Sequence, residues 1–289
     1  MCRWVLYQGD EITLASLVTE PAHSIIKQSV HAAETEEPLN GDGFGLAWYV
    51  PAISDRPGLF RSVTPAWSNQ NLLEMARVTR SPCILAHVRA ATSGLPVAET
   101  NCHPFTSGRY AFMHNGDVAR FHQIRRWLLA DLSDSAFTAI KGSTDSEHLF
   151  GVFLDEAAEG DLQNAPDRAA ALANALERAL SRVVALSDRA KAGLPRPAGV
   201  ARDEDFCYIN CAVTDGVCSA ACRFTTDRDE PSSLYVHADA RRVIVASERL
   251  TEDSGWQKVP RDSLVIVRED RSVEVRPMRL QGVNLRDAA

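Results

Sequence analysis

Met1-Cys2-Arg3-Trp4 opens the chain, and its reading decides how every later motif is read. A small residue after the initiator Met is what the aminopeptidases that remove that Met require. Cleavage leaves Cys2 as the mature N-terminus. One residue then carries both a thiol and a free α-amine, a nucleophile with its base attached. An unperturbed α-amine titrates near about 7.7–8.0 and a thiol near about 8.5, close enough to exchange a proton at neutral pH. An N-terminal nucleophile activated by its own amine is a known form of covalent catalysis. A Cys at position two also arises by chance, so its meaning depends on the residues downstream.

Four polar clusters punctuate the first half. Gly41-Asp42-Gly43-Phe44-Gly45 is a glycine-rich turn running into a strand. It lacks the Lys-Ser/Thr ending of a phosphate loop, which argues against nucleotide binding. In Ala86-His87-Val88-Arg89-Ala90-Ala91-Thr92, His87 and Arg89 share one face of an extended strand. An arginine there can clamp a carboxylate through two parallel hydrogen bonds, or simply sit in a surface ion pair. Asn101-Cys102-His103-Pro104-Phe105 precedes His114-Asn115-Gly116-Asp117. The Asn115 side chain and the Gly116 N–H supply two donors for an oxyanion; Asn-Gly is equally a hairpin turn. In Thr144-Asp145-Ser146-Glu147, Asp145 can hold a cationic amine. The same segment reads as a helix start, with Thr144 as cap and Glu147 closing a capping box. Taken with Cys2, these clusters contain every role of a thiol site that hydrolyses amides.

Around them the chain is ordinary for a globular protein. It has 289 residues, 45% of them hydrophobic and 24% charged, within the usual range. The net charge of −7 and pI near 5.6 argue against a nucleic-acid or membrane-surface partner. No membrane span or signal peptide is expected, which points to the cytoplasm and reduced thiols. Phe44–Val50, Cys83–Val88 and Tyr110–Met113 read as strands, and residues 71–77 as a helix. Leu172, Leu176, Leu180, Val183 and Val184 mark one face of a long helix. A loop rich in Gly and Pro near 191–205 is a soft boundary inside a single domain spanning 2–289. Strands return at 206–213, 217–224, 234–237, 243–246 and 263–267. Strands early, helices in the middle and strands late predict antiparallel sheets covered by helices.

The assembled set resembles the class II glutamine amidotransferases, which are N-terminal-nucleophile (Ntn) hydrolases. The matching elements are Met-Cys-Arg at the start, Gly-Asp-Gly-Phe-Gly at 41–45, Ala-His-Val-Arg-Ala-Ala-Thr at 86–92, Asn-Cys-His-Pro-Phe at 101–105, His-Asn-Gly at 114–116 and Ser-Thr-Asp-Ser-Glu at 143–147. The resemblance implies an α+β fold, a four-layer αββα sandwich of two antiparallel sheets. It implies that Cys2 attacks a γ-carbonyl, with Asn115 and Gly116 holding the oxyanion. Arg89 would bind the substrate α-carboxylate and Asp145 its α-ammonium, with His87 and Thr92 as further substrate-binding positions. The products would be glutamate and an amine. The later strands, including Val245-Ala246-Ser247-Glu248, are similar to a stand-alone branch that includes an ergothioneine-pathway γ-glutamyl hydrolase. Synthase members usually carry Trp after the matching Arg, where this chain has Ala90, and they continue into an acceptor domain. Three readings therefore stand. One is a hydrolase of a γ-glutamyl compound. Another is a glutaminase subunit passing ammonia to a separate synthase or pathway enzyme. The last is a non-catalytic binding protein.

Seven cysteines are present. An Asp215-Gly216 hairpin turn would pair Val213 with Cys218 and Cys211 with Ala220. Cys207, Cys211, Cys218 and Cys222 would then share one apolar face, where Cys acts as a small hydrophobe. No metal and no cofactor is expected. The group beyond the γ-glutamyl unit would meet loops around 24–40 and 223–231.

Overall fold

The computed structural model describes residues 2–35, 39–91, 96–162, 164–196 and 205–281. Two antiparallel sheets lie face to face. The first contains seven strands in the order β11-β9-β10-β1-β4-β2-β3. These are β1 (Arg3–Thr13), β2 (Phe44–Trp48), β3 (Gly58–Ser62), β4 (Arg80–Val88), β9 (Tyr235–Ala238), β10 (Arg242–Ala246) and β11 (Trp256–Lys258). The second runs β13-β12-β8-β7-β6-β5. Its strands are β5 (Phe105–Ser107), β6 (Tyr110–Asp117), β7 (Tyr208–Thr214), β8 (Ser219–Thr225), β12 (Ser263–Val267) and β13 (Val273–Pro277).

Period-two alternation divides the core into layers. On β1, Trp4 and Leu6 point between the sheets. Val5 and Tyr7 point outward, toward α1 (Ala15–Val18), α2 (Ile25–Val30) and α3 (Gln70–Val78). The layer between the sheets sets Ala47, Ala111, Ala212 and Ala221 against Trp4, Leu85 and Met113, a large-against-small packing that lets the sheets approach. The second sheet's outer face packs on α4 (Phe121–Ala130), α6 (Asp145–Glu159) and α7 (Arg168–Gly193), with α5 (Asp134–Ala139) against α6. The expected αββα sandwich is the observed one.

The helical stripe of α7 behaves as its spacing predicts: Leu172, Leu176, Leu180, Val183 and Val184 are all fully buried. Each such side chain contributes about 1.5–3 kcal/mol by leaving water. Asp167 caps this helix, accepting from the Ala170 N–H at 2.9 Å. Among the described residues no helix is long and apolar enough to cross a membrane.

Three local expectations change. The β7–β8 turn has four residues, 215–218, and the register pairs Val213 with Ala220 and Cys211 with Cys222. The Asp215 carboxylate causes this, because its Oδ1 accepts from the N–H groups of both Val217 (2.9 Å) and Cys218 (2.8 Å). The slip is two residues, so the faces are unchanged, and all four cysteines lie in the apolar layer under α7. Thr144 caps α6 as expected, accepting from the Glu147 N–H at 3.2 Å. Glu147, however, does not return to Thr144; it accepts from the N–H groups of Lys141 (3.0 Å) and Gly142. Finally, residues 3–13 form a strand that alternation in the sequence does not mark.

Candidate active site

Cys2 sits at the head of β1, which lies between β10 and β4 near the middle of its sheet. Its neighbour is fixed on three sides. The Trp4 N–H donates to Ser247 Oγ (3.1 Å), the Trp4 carbonyl accepts from the Ser247 N–H (3.0 Å), and the indole N–H reaches across to the Asn210 carbonyl of the second sheet (3.1 Å). The nucleophile candidate is thereby held by the fold and not by a loose tail.

The Cys2 thiol is half-buried. Its Sγ lies 3.3 Å from the Ala90 carbonyl oxygen and receives the Ala90 N–H at 3.4 Å. Burial pushes the thiol up; the Ala90 N–H and the charges of Arg89 and Arg3 oppose that rise. Those are the neighbours that favour a thiolate.

The glycine-rich turn at 41–43 holds the arginine segment in place. The Asp42 N–H donates to the Arg89 carbonyl (3.0 Å), the Arg89 N–H donates to the Gly43 carbonyl (2.9 Å), and Asp42 Oδ2 accepts from the Ala91 N–H (2.8 Å). Gly43 has φ +111°, and a Cβ there would lie 2.7 Å from Cys102 Sγ and the Ser62 carbonyl. The turn is a clamp on 89–91, a role its sequence did not disclose.

His87 connects the sheets, its Nε2 lying 3.3 Å from the His114 carbonyl. His114 in turn meets Ser146 Oγ at 2.8 Å through Nδ1 and the Tyr208 carbonyl at 3.3 Å through Nε2. The rings of His87 and His103 stack at 4.2 Å. Burial drives His87 down to about 3 and His114 to about 4, and takes His103 well below its ordinary value. All three are neutral at pH 7, so they act as polar packing and not as cations.

Asn115 and Gly116 end β6. Gly116 has φ +136°, and a Cβ there would collide with the Tyr208 carbonyl oxygen; no other residue fits. Asp145, first residue of α6, accepts the Val118 N–H through Oδ2 and the Ser146 N–H through Oδ1, both at 2.7 Å. Burial raises its carboxyl, with those N–H groups opposing. Hydrogen bonds link Cys2 to Ala90, His87 to His114, and both His114 and Asp145 to Ser146; Arg89, Asn115 and Gly116 are sequence neighbours of these groups. Thr92 lies outside the described residues.

Several buried polar atoms of these residues have no hydrogen-bond partner among the described residues. They are Arg89 Nη1, His87 Nδ1, both ring nitrogens of His103, and both Asn115 side-chain atoms. Each such atom costs about 1–3 kcal/mol, and sites keep such costs where a ligand relieves them. Sequence reasoning quoted His103, Arg3 and Glu248 within its motifs but assigned them no role. Their signal is burial, which a sequence does not print. Among the described residues, no group of three or more His, Cys, Asp or Glu side chains is placed to hold a metal ion.

Residues 18–187 match the family model for class II glutamine amidotransferases. The chain is 36% identical to the probable glutamine amidotransferase DUG3 of Saccharomyces cerevisiae, over 93% of this chain and 82% of that one. It is 28% identical to the γ-glutamyl-hercynylcysteine sulfoxide hydrolase of Mycolicibacterium smegmatis, over 96% of this chain and all of that one. A solved glutamine aminotransferase class-II domain protein from Silicibacter pomeroyi superposes with TM-score 0.66 at 28% identity, covering 96% of this chain and 100% of that one. The glutamine phosphoribosylpyrophosphate amidotransferase of B. subtilis shares the fold alone, with TM-score 0.59 at 14% identity, covering 97% of this chain and 50% of that one.

Proposed function

The chain belongs to the class II glutamine amidotransferases, and from that premise we propose that it hydrolyses a γ-glutamyl amide through Cys2. With Met1 removed, the Cys2 α-amine takes the thiol proton as sulfur attacks the γ-carbonyl. The oxyanion of the tetrahedral intermediate lies against the Asn115 amide and the Gly116 N–H. Collapse breaks the C–N bond, and the amine leaves with the proton held by the α-amine. Water then attacks the γ-glutamyl thioester, releasing glutamate and restoring the thiol. Arg89 binds the substrate α-carboxylate with its unpaired Nη1, and Asp145 faces the α-ammonium. His87 acts through the His114 carbonyl it touches, holding the two sheets' contributions together, and Thr92 is a further substrate-binding residue of this reading.

One observation carries this reading: Arg89, whose neighbour Ala90 touches the Cys2 thiol, and Asn115 are buried with guanidinium and amide atoms that have no partner among the described residues. An α-carboxylate and an oxyanion are the groups that chemistry would accept there. The leaving group favoured is an amine larger than ammonia, released from a γ-glutamyl compound akin to that in the M. smegmatis relative's name. Ala90 supports this, since it stands where synthase members usually carry a Trp. A second reading, a glutaminase serving a separate synthase, draws on the yeast relative's designation as an amidotransferase.

Glutamate release from glutamine and from a panel of γ-glutamyl peptides and amines tests both. The expected result is faster release from γ-glutamyl compounds, abolished in Cys2→Ala with the fold retained. Activity surviving in Cys2→Ala would sink the mechanism. Exclusive cleavage of glutamine, stimulated by a partner, would replace the first reading with the second. Mass spectrometry on protein from its natural host should find Met1 absent.

A further inference from the structure

Arg3 is the residue after the nucleophile candidate and is fully buried. Its Nε lies 3.3 Å from Glu248 Oε1, yet among the described residues Nε, Nη1 and Nη2 all lack a hydrogen-bond partner. Glu248 is equally buried, and its oxygens are occupied elsewhere. They accept His23 Nε2 (2.6 Å), the Ala33 N–H (2.9 Å) and the Glu34 N–H (3.0 Å). Burial pushes Glu248 up, but these donors and Arg3 outweigh it and hold the carboxyl below its ordinary value. The guanidinium is kept dry beside a single ionised carboxylate that also serves three other donors, so a fixed, buried ion pair adjoins Cys2 in the chain. Burial lowers the Arg3 pKa and Glu248 opposes this; a guanidinium starts high enough to remain charged at neutral pH.

The charges around Cys2 point the same way. From the segment after β4 comes Arg89, with Ala90 giving an N–H. His87 and His103 are neutral. Cys102 is a protonated thiol, raised by burial. Asp42 accepts from the Ala91 N–H, and Asp145 from Val118 and Ser146. Glu34 accepts from the Tyr235 hydroxyl at 2.9 Å. The charges that pull the thiol down are, in order, the chain's N-terminal ammonium, Arg89 and Arg3.

We propose that Arg3 is a positioning residue that acts through Cys2: its buried fixed charge keeps the α-amine neutral as a base and eases ionisation of the thiol, while Glu248 anchors the guanidinium. The inference rests on the reading of Cys2 as nucleophile. Two cations therefore flank the nucleophile for different purposes, Arg89 for the substrate and Arg3 for the proton balance of residue 2.

The test is the pH profile of Cys2 alkylation by iodoacetamide, read on the N-terminal peptide without any substrate. Arg3→Met should move the thiol's midpoint up by about one pH unit. Arg3→Lys should stay close to wild type, because the charge is kept. Glu248→Gln should leave the midpoint in place or move it down. If Arg3→Met and Glu248→Gln move it in the same direction, Arg3 is only half of a structural ion pair and the proposal fails. An unmoved profile in Arg3→Met also overturns it. Should Arg3→Met not fold, an upward shift in Glu248→Gln is by itself enough to reject the idea. Alkylation needs no turnover, so loss of the γ-glutamyl reading would show separately, as unchanged glutamate release in Cys2→Ala.

Discussion

Cys2 and Cys211 carry the same thiol in opposite surroundings. Cys211 faces Cys222 across the β7–β8 ladder, the two sulfurs 3.3 Å apart in the layer beneath α7. Burial pushes its thiol well above the ordinary value, and the neighbouring Cys222 pushes further in the same direction. At Cys2 burial also raises the thiol, but an N–H and two guanidinium groups resist. Reactivity here is decided less by depth than by whether any neighbour opposes it. The inner cysteines are packing; Cys2 sits among groups that oppose its burial.

The contrast breaks most severely if the prepared neighbours are idle. Asn115→Ala should lower kcat for glutamate release by about 10²–10³, with an unchanged circular dichroism spectrum; a loss below about ten-fold would mean that the unpaired amide is not facing the reaction. Next comes the contrast itself. In the native protein, iodoacetamide should modify Cys2 more than about a hundred-fold faster than Cys211 or Cys222, as read by peptide mass spectrometry. Comparable rates would erase the distinction. The smallest effect expected concerns acid. His87, His114 and His148 are driven by burial to about 3, 4 and 4, whereas an unfolded histidine titrates near about 6.5. Between those values the unfolded chain binds more protons, so stability is full above about pH 6.5 and falls as pH drops toward about 4. The raised Asp145 carboxyl works in the reverse sense and softens the decline. Thermal midpoints measured from about pH 7.5 to about 4.5 should fall below about pH 6.5; a flat profile would show these histidines solvated.

Much of the site was legible because its residue types are poor choices for a core. Arg89, Asn115 and Asp145 stood out in apolar company, and a glycine at 116 has a geometric cause in the Tyr208 carbonyl. What the pattern missed has physical reasons as well. β1 is buried on both faces at Arg3–Tyr7, so it shows no alternation, and a charged residue interrupts its apolar run. The Asp215 turn was misjudged because a side chain capping two N–H groups lengthened it. Glu248 is fully buried with a charge, which no window of sequence reveals.

The pairing of β1 bears on the order in which the molecule is assembled. Val5 faces Ala246 on β10, and the Trp4 N–H meets Ser247, 243 positions away along the chain. Contacts of such separation form late and slow folding. During synthesis the first strand made must therefore wait for the last third of the chain before it is enclosed, and with it the environment of Cys2. A fragment ending before residue 242 would therefore carry Cys2 without the β10 strand that encloses β1.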